Sequence, residues 1–591
     1  MTVGCWWSAA LLVPVSLAAQ VAAPPRADPW AVLLRPRTHV PTPTTAAITA
    51  ADLRTRLFIF ADDSMMGREA GTEGNVKGVD YIAHELKRIG LLPAGQDGTY
   101  FQTFVHHETV RWFDSTHTIA VDGAPLMMWR DYLPRDPVFD LRPIDGAQVI
   151  FGGDWTDSNS VISNAQATAK FVVITSSATY PGNPPHIPDR SDVEARFSSA
   201  AGIAVAELEH LPDSTLVQYR TPVQFLSGRT APIYMYVTRA AAERLLGEPV
   251  EGASKGATGK TVTGNLGFGQ GQVTTQTDRP LRNVVALLEG SDPVLRNEFV
   301  VLGAHNDHIG TVGSGMSDVT VPMAHDSIYV VDHLFRQGGA DDPPPTLDAA
   351  QQQQVNAILA RVRKASGGRS ARIDSIFNGA DDDGSGSVSL LEIAQYFAAQ
   401  RVKPKRSLLF VWHVGEEKGL WGSEYFTDHP TVPRDSIVAE LNMDMIGRGG
   451  AADQTGYSID GRRLHGGPGY LQVVGSRRLS TELGDLVEAV NTSGAHGLHF
   501  DYSMDASGHP QQIYCRSDHA EYARYGIPIA FFTTGGHADY HQLTDEPQYI
   551  DYNRMAQVDN FIADLARHVA NLGHRVAVDH PRPDPKAPCQ Q

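Results

Sequence analysis

Two adjacent carboxylates, Glu416 and Glu417, stand just past the apolar run SLLFVWHV (Ser407 to Val414). Aliphatic, aromatic and β-branched residues in a run of this length read as a buried strand. The pair therefore sits at the end of a core strand, where an open α/β sheet places its ligands. Neighbouring residues leaving a strand point different ways. One carboxylate can hold a metal while the other moves a proton. Four more candidates occupy similar edges. His305 ends EFVVLGAH, Asp382 sits in the turn between NGAD and a helix, Asp444 ends IVAELNMD, and His541 follows IPIAFFTTGGHADY. Nitrogen and oxygen donors without sulfur suit Zn²⁺, and also Mn²⁺ or Co²⁺. His305, Asp382, Glu417, Asp444 and His541 exceed what one catalytic tetrahedral ion needs while keeping a position open. One carboxylate shared by two ions about 3.5–4 Å apart resolves the count.

The segments GAHNDH, NGADDDGSG, GEEKGLWGS, NMDMIG and DYHQLTD, in that order, resemble the metal-site motifs of the bacterial double-zinc aminopeptidases, a zinc-dependent exopeptidase family of the M28 type. The likeness covers roughly 48–110 and 280–572. It implies His305 and Asp444 on one zinc, Glu417 and His541 on the other, Asp382 bridging, and Glu416 as general base. It further implies an oxyanion role for Tyr540, and Asp307 orienting His305 from behind. The activity implied is removal of N-terminal residues from peptide substrates. The fold implied is α/β, a mixed open sheet flanked by helices, interrupted by a strand-rich domain resembling a protease-associated domain.

The elements that must position these residues follow from pattern. Thr49 caps a predicted helix through LRTRLFIFADD, and VKGVDYIAHELKRIG repeats apolar residues at helical intervals up to Gly90. SMMGREAGTEGN between them reads as a glycine-rich loop. Residues 111–280 alternate short strands with turns and carry no metal-ligand cluster. RNVVALLEG, EFVVLGAH, SLLFVWHV, IVAELNMD and IPIAFFTT supply buried strands of the catalytic part, 48–110 and 281–575. Residues 311–377 form an insertion beside the site, containing a second acidic stretch, Asp341 and Asp342, that prolines disqualify. Residues 24–47 read as a linker and 576–591 as a disordered tail.

A net charge of −18 excludes the basic face a nucleic-acid partner requires. The apolar first residues, through Ala23, resemble a secretory signal peptide, although no Lys or Arg precedes the apolar run. The expectation is a secreted or periplasmic protein with no stable membrane insertion once that segment is removed. Cys515 and Cys589 can pair, but spacing gives no geometry.

Four alternatives remain at this stage. Asp381 to Glu392 also fits the spacing of an EF-hand calcium loop, in which Asp382 would not be a ligand. A carboxypeptidase or dipeptidase of the same superfamily needs cations for a substrate carboxylate. A glutaminyl-cyclase-like transferase needs one zinc. A receptor on this fold lacks the ligands. GSGS at 384–387 lacks the strand that leads into a serine elbow. His413, His519 and His537 are expected to be packed or hydrogen-bonded.

Overall fold

The computed structural model describes residues 29–591 except 136, 158–159, 177–189, 212–222, 225–229, 315–320 and 337–344. The leader, the start of the linker, Asp341 and Asp342 lie outside the described residues. The main sheet has nine strands. From one edge they run Leu92–Pro93, Leu281–Leu288, Ser407–His413, Phe299–His305, Ile437–Met443, Ile529–Thr533, Tyr470–Val474 and His499–Asp501; Phe101–Phe104 also pairs with Leu281–Leu288. The four central strands, from Ser407–His413 to Ile529–Thr533, are parallel, and their outer neighbours are antiparallel to them. This is the mixed α/β sheet the strand pattern predicts. Parallel strands buried on both faces need apolar side chains throughout. Ser407–His413 and Ile437–Met443 are buried at every position.

Helices Ala50–Phe60, Glu73–Ile89, Gly384–Ala399 and Tyr552–Asn571 cover one face, with Leu53, Ile82, Leu391, Phe397 and Phe561 in a shared core. The Thr49 hydroxyl accepts the Asp52 N–H at 3.1 Å, and Gly90 ends the second helix in the left-handed region, where the chain lacks a Cβ to clash. Tyr522, Phe426 and Met504 pack on the other face.

Between residues 107 and 274 lie a separate eight-stranded sheet, its strands within 118–265, and a three-stranded sheet, with their own cores around Phe171, Ile203 and Met235. Strands His107–Phe113 and Phe268–Thr274 pair antiparallel over seven positions where the chain leaves and returns. The excursion thus begins four residues before 111.

Three expectations require correction. The linker is partly structured: Pro29–Leu34 is a 3₁₀ turn whose Trp30 and Leu33 pack on Val330 and Val355 of the 311–377 insertion. The tail is tied down, because Cys589 is bonded to Cys515 and Gln591 accepts the Tyr514 N–H at 3.0 Å. The EF-hand reading fails, because Gly384–Ala399 is helical and Glu392, its would-be twelfth position, accepts from Arg56 Nε at 2.8 Å inside the core.

Candidate metal centre

The parallel strands end at one edge, and the candidate residues project there. The His305 and His413 strands are in register at their last residues, and Met443 pairs with Phe532. Carboxyl ends of neighbouring parallel strands therefore bring together groups more than two hundred residues apart. The helix behind Asp382 starts with Asp383, which accepts the Gly386 N–H at 2.8 Å and the His305 N–H at 3.0 Å. One carboxylate thus ties the turn to the strand.

Asp382 is the centre. His305 Nε2 lies 3.1 Å from Asp382 Oδ1 and 3.6 Å from Asp444 Oδ1. His541 Nε2 lies 3.0 Å from Asp382 Oδ2 and 2.9 Å from Glu417 Oε2. Two candidate ligand groups result, His305–Asp382–Asp444 and His308–Asp382–Glu417–His541, sharing Asp382. His305, Asp382, Glu417, Asp444 and His541 are all brought together. Asp307 faces His305 Nδ1 at 3.7 Å, beyond a hydrogen bond, and accepts the N–H groups of Gly415 and Glu416 at 2.8 and 3.2 Å. It holds the Glu-Glu turn as well as facing the imidazole.

The donor set fits a divalent ion of the zinc class. His305 Nε2, His541 Nε2 and Asp444 Oδ1 are buried polar atoms without a hydrogen-bond partner. Leaving such atoms unmatched is costly, and a cation at their convergence satisfies them together. The electrostatics agree. Burial would lower the His305 imidazole, but Asp444, Asp307 and Asp382 outweigh it and hold it well above its ordinary value. Burial would raise Asp382, yet His305 and His541 hold it well below the carboxylate range. Burial, the neighbouring Asp444 and Glu417 push Glu416 well up against the pull of His305. A carboxyl so placed suits proton transfer.

Glu416, Asp382, Asp444 and Tyr540 line one cavity, whose far wall includes Tyr457, Met504, Ile513, Phe531 and Arg516. Tyr540 stacks on His541 with centroids 3.9 Å apart. His541 itself is in the left-handed backbone region, φ 55°, which is strained for a residue with a Cβ and recurs at functional sites. The loop is braced by Asp539, which accepts from Arg448 at 2.7 Å and from the Thr544 hydroxyl at 2.7 Å.

Sequence reasoning missed three neighbours. His308, three past His305, reaches Glu417. The Ser517 hydroxyl donates to Asp444 Oδ2 at 2.8 Å. Arg68, buried in the supposed glycine-rich loop, donates to the Asn378 and Gly379 carbonyls at 2.7 and 2.8 Å and fixes the turn before Asp382. The GAHNDH spelling contained the signal for His308; nothing local marked Ser517 or Arg68. His413 and Tyr522 are hydrogen-bonded at 2.9 Å and His537 faces Asp381 at 3.2 Å, whereas His519 stacks on Phe531 with neither ring nitrogen hydrogen-bonded, so its role is packing. Ser385 and Ser387 are buried and donate to the Asp381 and His305 carbonyls, so no serine elbow exists. A third group, His325, Asp374 and Glu546, already contains a cation: Arg372 lies 2.8 Å from Asp374.

A mixed sheet with nitrogen and oxygen donors gathered at the carboxyl ends of its parallel strands places a candidate divalent-ion site where open α/β sheets bind ligands. Residues 369–566 match the model of peptidase family M28. The segment holds Asp382, Glu416, Glu417, Asp444, Tyr540 and His541; His305 precedes it. The chain is 32% identical over 187 residues to leucine aminopeptidase 1 of Coccidioides posadasii, covering 31% of this chain and 40% of that protein. It is 28% identical over 181 residues to leupeptin-inactivating enzyme 1 of Streptomyces exfoliatus, covering 30% and 34%. The chain thus spans less than half the length of these curated relatives. Among solved structures it is similar to the zinc aminopeptidase BSAP of Bacillus subtilis at 14% identity, covering 88% of this chain and 95% of that one, with a TM-score of 0.40.

Proposed function

We propose that the protein is a zinc-dependent aminopeptidase that removes N-terminal residues from peptides. The observation that carries the reading is the pair of ligand groups sharing Asp382, one holding His305 and Asp444, the other Glu417 and His541. The M28 match and the leucine aminopeptidase relative support the same reaction class. Divalent ions held by these residues would supply Lewis acidity to the peptide carbonyl and acidify water. Glu416, at the cavity edge, takes the proton from the attacking water and returns it to the leaving amine. The Tyr540 hydroxyl donates to the developing oxyanion. Asp307, behind His305 and the Glu-Glu turn, keeps both in place.

The substrate's α-amino group is drawn to the carboxylates beside the cavity, and its side chain enters the wall formed by Met504, Ile513 and Phe531. Apolar N-terminal residues are therefore preferred. Export to a secreted or periplasmic location and a protease-associated role for the domain within residues 107–274 belong to this reading. They are supported by the apolar leader and by that domain's separate cores. Arg516 in the cavity wall favours a second reading, a carboxypeptidase that binds a substrate carboxylate.

A panel of peptides with free or blocked N-termini, assayed with and without chelator, separates the readings. Cleavage of free N-termini alone, abolished by chelator and restored by zinc, is expected. Cleavage of N-blocked peptides from the C-terminus would replace the first reading by the second.

A further inference from the structure

His308 closes the GAHNDH segment and has no role in the ligand set the family resemblance implies. It is fully buried, and its ring cannot swing away. Its backbone N–H donates to the Arg68 carbonyl at 3.3 Å, and Gly379 lies against the ring so closely that a Cβ there would stand 2.5 Å from His308 Cγ. The ring is therefore aimed by packing. Its Nδ1 lies 2.6 Å from Glu417 Oε1 and 3.7 Å from Asp382 Oδ2. His541 Nε2 approaches the same two carboxylates through Asp382 Oδ2 and Glu417 Oε2. The two imidazoles flank the carboxylate pair with centroids 5.6 Å apart and planes at 65°. One donor atom from each of the four side chains lies within 4.8 Å of the others.

We propose that His308 is a fourth side-chain ligand to the ion held by Asp382, Glu417 and His541. This rests on the two-ion reading above. The two halves of the centre then differ. Four protein ligands close a tetrahedral zinc, as in sites that serve structure, whereas three leave a position for water or substrate. The ion at His308–Asp382–Glu417–His541 is the tightly held one. The ion at His305–Asp382–Asp444 keeps the open position and exchanges readily. That second position is also the one nearer the cavity, whose lining includes Asp382 and Asp444 but not His308 or Glu417.

The rival role is that His308 merely orients Glu417 by a hydrogen bond. H308N separates the two, because its amide nitrogen can replace the Nδ1 donor toward Glu417 but is a poor metal ligand. Full-length wild type, H308N and H308A are loaded with zinc, titrated against a competing chelator, and assayed for bound metal by mass spectrometry, with thermal melts alongside. Wild type is expected to hold two ions. Both variants are expected to retain one comparably and to bind the other more weakly by over about 100-fold, beyond the roughly 10–100-fold that loss of an orienting partner costs. Two ions bound by either variant within that smaller range would overturn the assignment while leaving the aminopeptidase reading intact. A wild type that holds fewer than two ions would overturn the two-ion reading itself, and this assignment with it.

Discussion

Glu416 and Glu417 are adjacent in the chain and opposite in their surroundings. Glu417 is pinned between His308 and His541, and although burial and Asp382 would raise it, these two imidazoles hold its carboxyl down at about 2. Glu416 is pushed up and faces the cavity. Glu416→Gln is expected to retain bound zinc and lose about 10²–10⁴-fold in kcat, the usual contribution of a positioned general base. Metal analysis beside steady-state kinetics checks both halves. A second residue carries a pH signature. His519 is enclosed against Phe531, and burial lowers it from 6.5 to about 3. Its folded form resists protonation while the unfolded chain accepts it. The stability it contributes is complete above 6.5 and is lost as pH falls toward 3. Between pH 6.5 and roughly pH 5 the loss is about 2 kcal/mol. Urea midpoints should fall over that interval in the wild type and fall less in His519→Phe, which preserves the stacking partner.

At the scale of elements, the centre depends on how helices are fastened to the sheet. Arg56 on the first helix pairs with Glu392 at 2.8 Å and with Glu85 at 2.6 Å, joining three helices beneath the site. Removing one partner of a buried pair leaves an uncompensated charge. Arg56→Ala is expected to lower unfolding stability by about 3–5 kcal/mol in urea titrations. The turn before Asp382 is equally constrained. Gly379 has φ 55°, and a Cβ there would lie 2.4 Å from the Asp382 carbonyl and 2.5 Å from His308. Gly379→Ala is expected to leave a folded protein with displaced Asp382 and weakened zinc binding, read by the same chelator competition. The 311–377 insertion is likewise fastened to the metal loop, since His333 approaches Asp539 at 3.5 Å and Arg372 pairs with Glu546. It is a buttress of the His541 loop, beyond a simple surface excursion.

The whole molecule ties distant ends to the cavity. The Cys515–Cys589 bond closes a loop of sequence separation 74 and anchors the tail beside Ile513 and Arg516 of the cavity wall. A closure of that length limits the unfolded chain by about 4 kcal/mol in the entropic account. Cys589→Ser is expected to lower the thermal midpoint with the main sheet otherwise intact, as monitored by calorimetry and circular dichroism. Metal removal acts on the same scale, because ligands that converge only in the folded chain make binding energy into folding energy. Zinc at about a thousandfold over its Kd is expected to add about 4 kcal/mol to the metal-free protein.

Local pattern was enough for the apolar strands and the caps at Thr49 and Gly90; the five metal-site spellings were legible through their resemblance to a known family. Strand ends and helix starts are written in short runs of neighbouring residues, and a cage assembled at strand ends inherits that legibility. Spacing alone left Asp381 to Glu392 open to calcium; the helix from Gly384 and the packing of Glu392 on Arg56 decided against it. His308, Ser517 and Arg68 stayed hidden, as did the pairing of Cys515 with Cys589. Each acts on a partner remote in the chain, and no local periodicity encodes which remote group a side chain will meet. The sequence by itself determined the donor types and the elements that carry them. The tertiary structure decided which donors meet around Asp382, because that depends on strand order and register, set by the burial of the entire sheet.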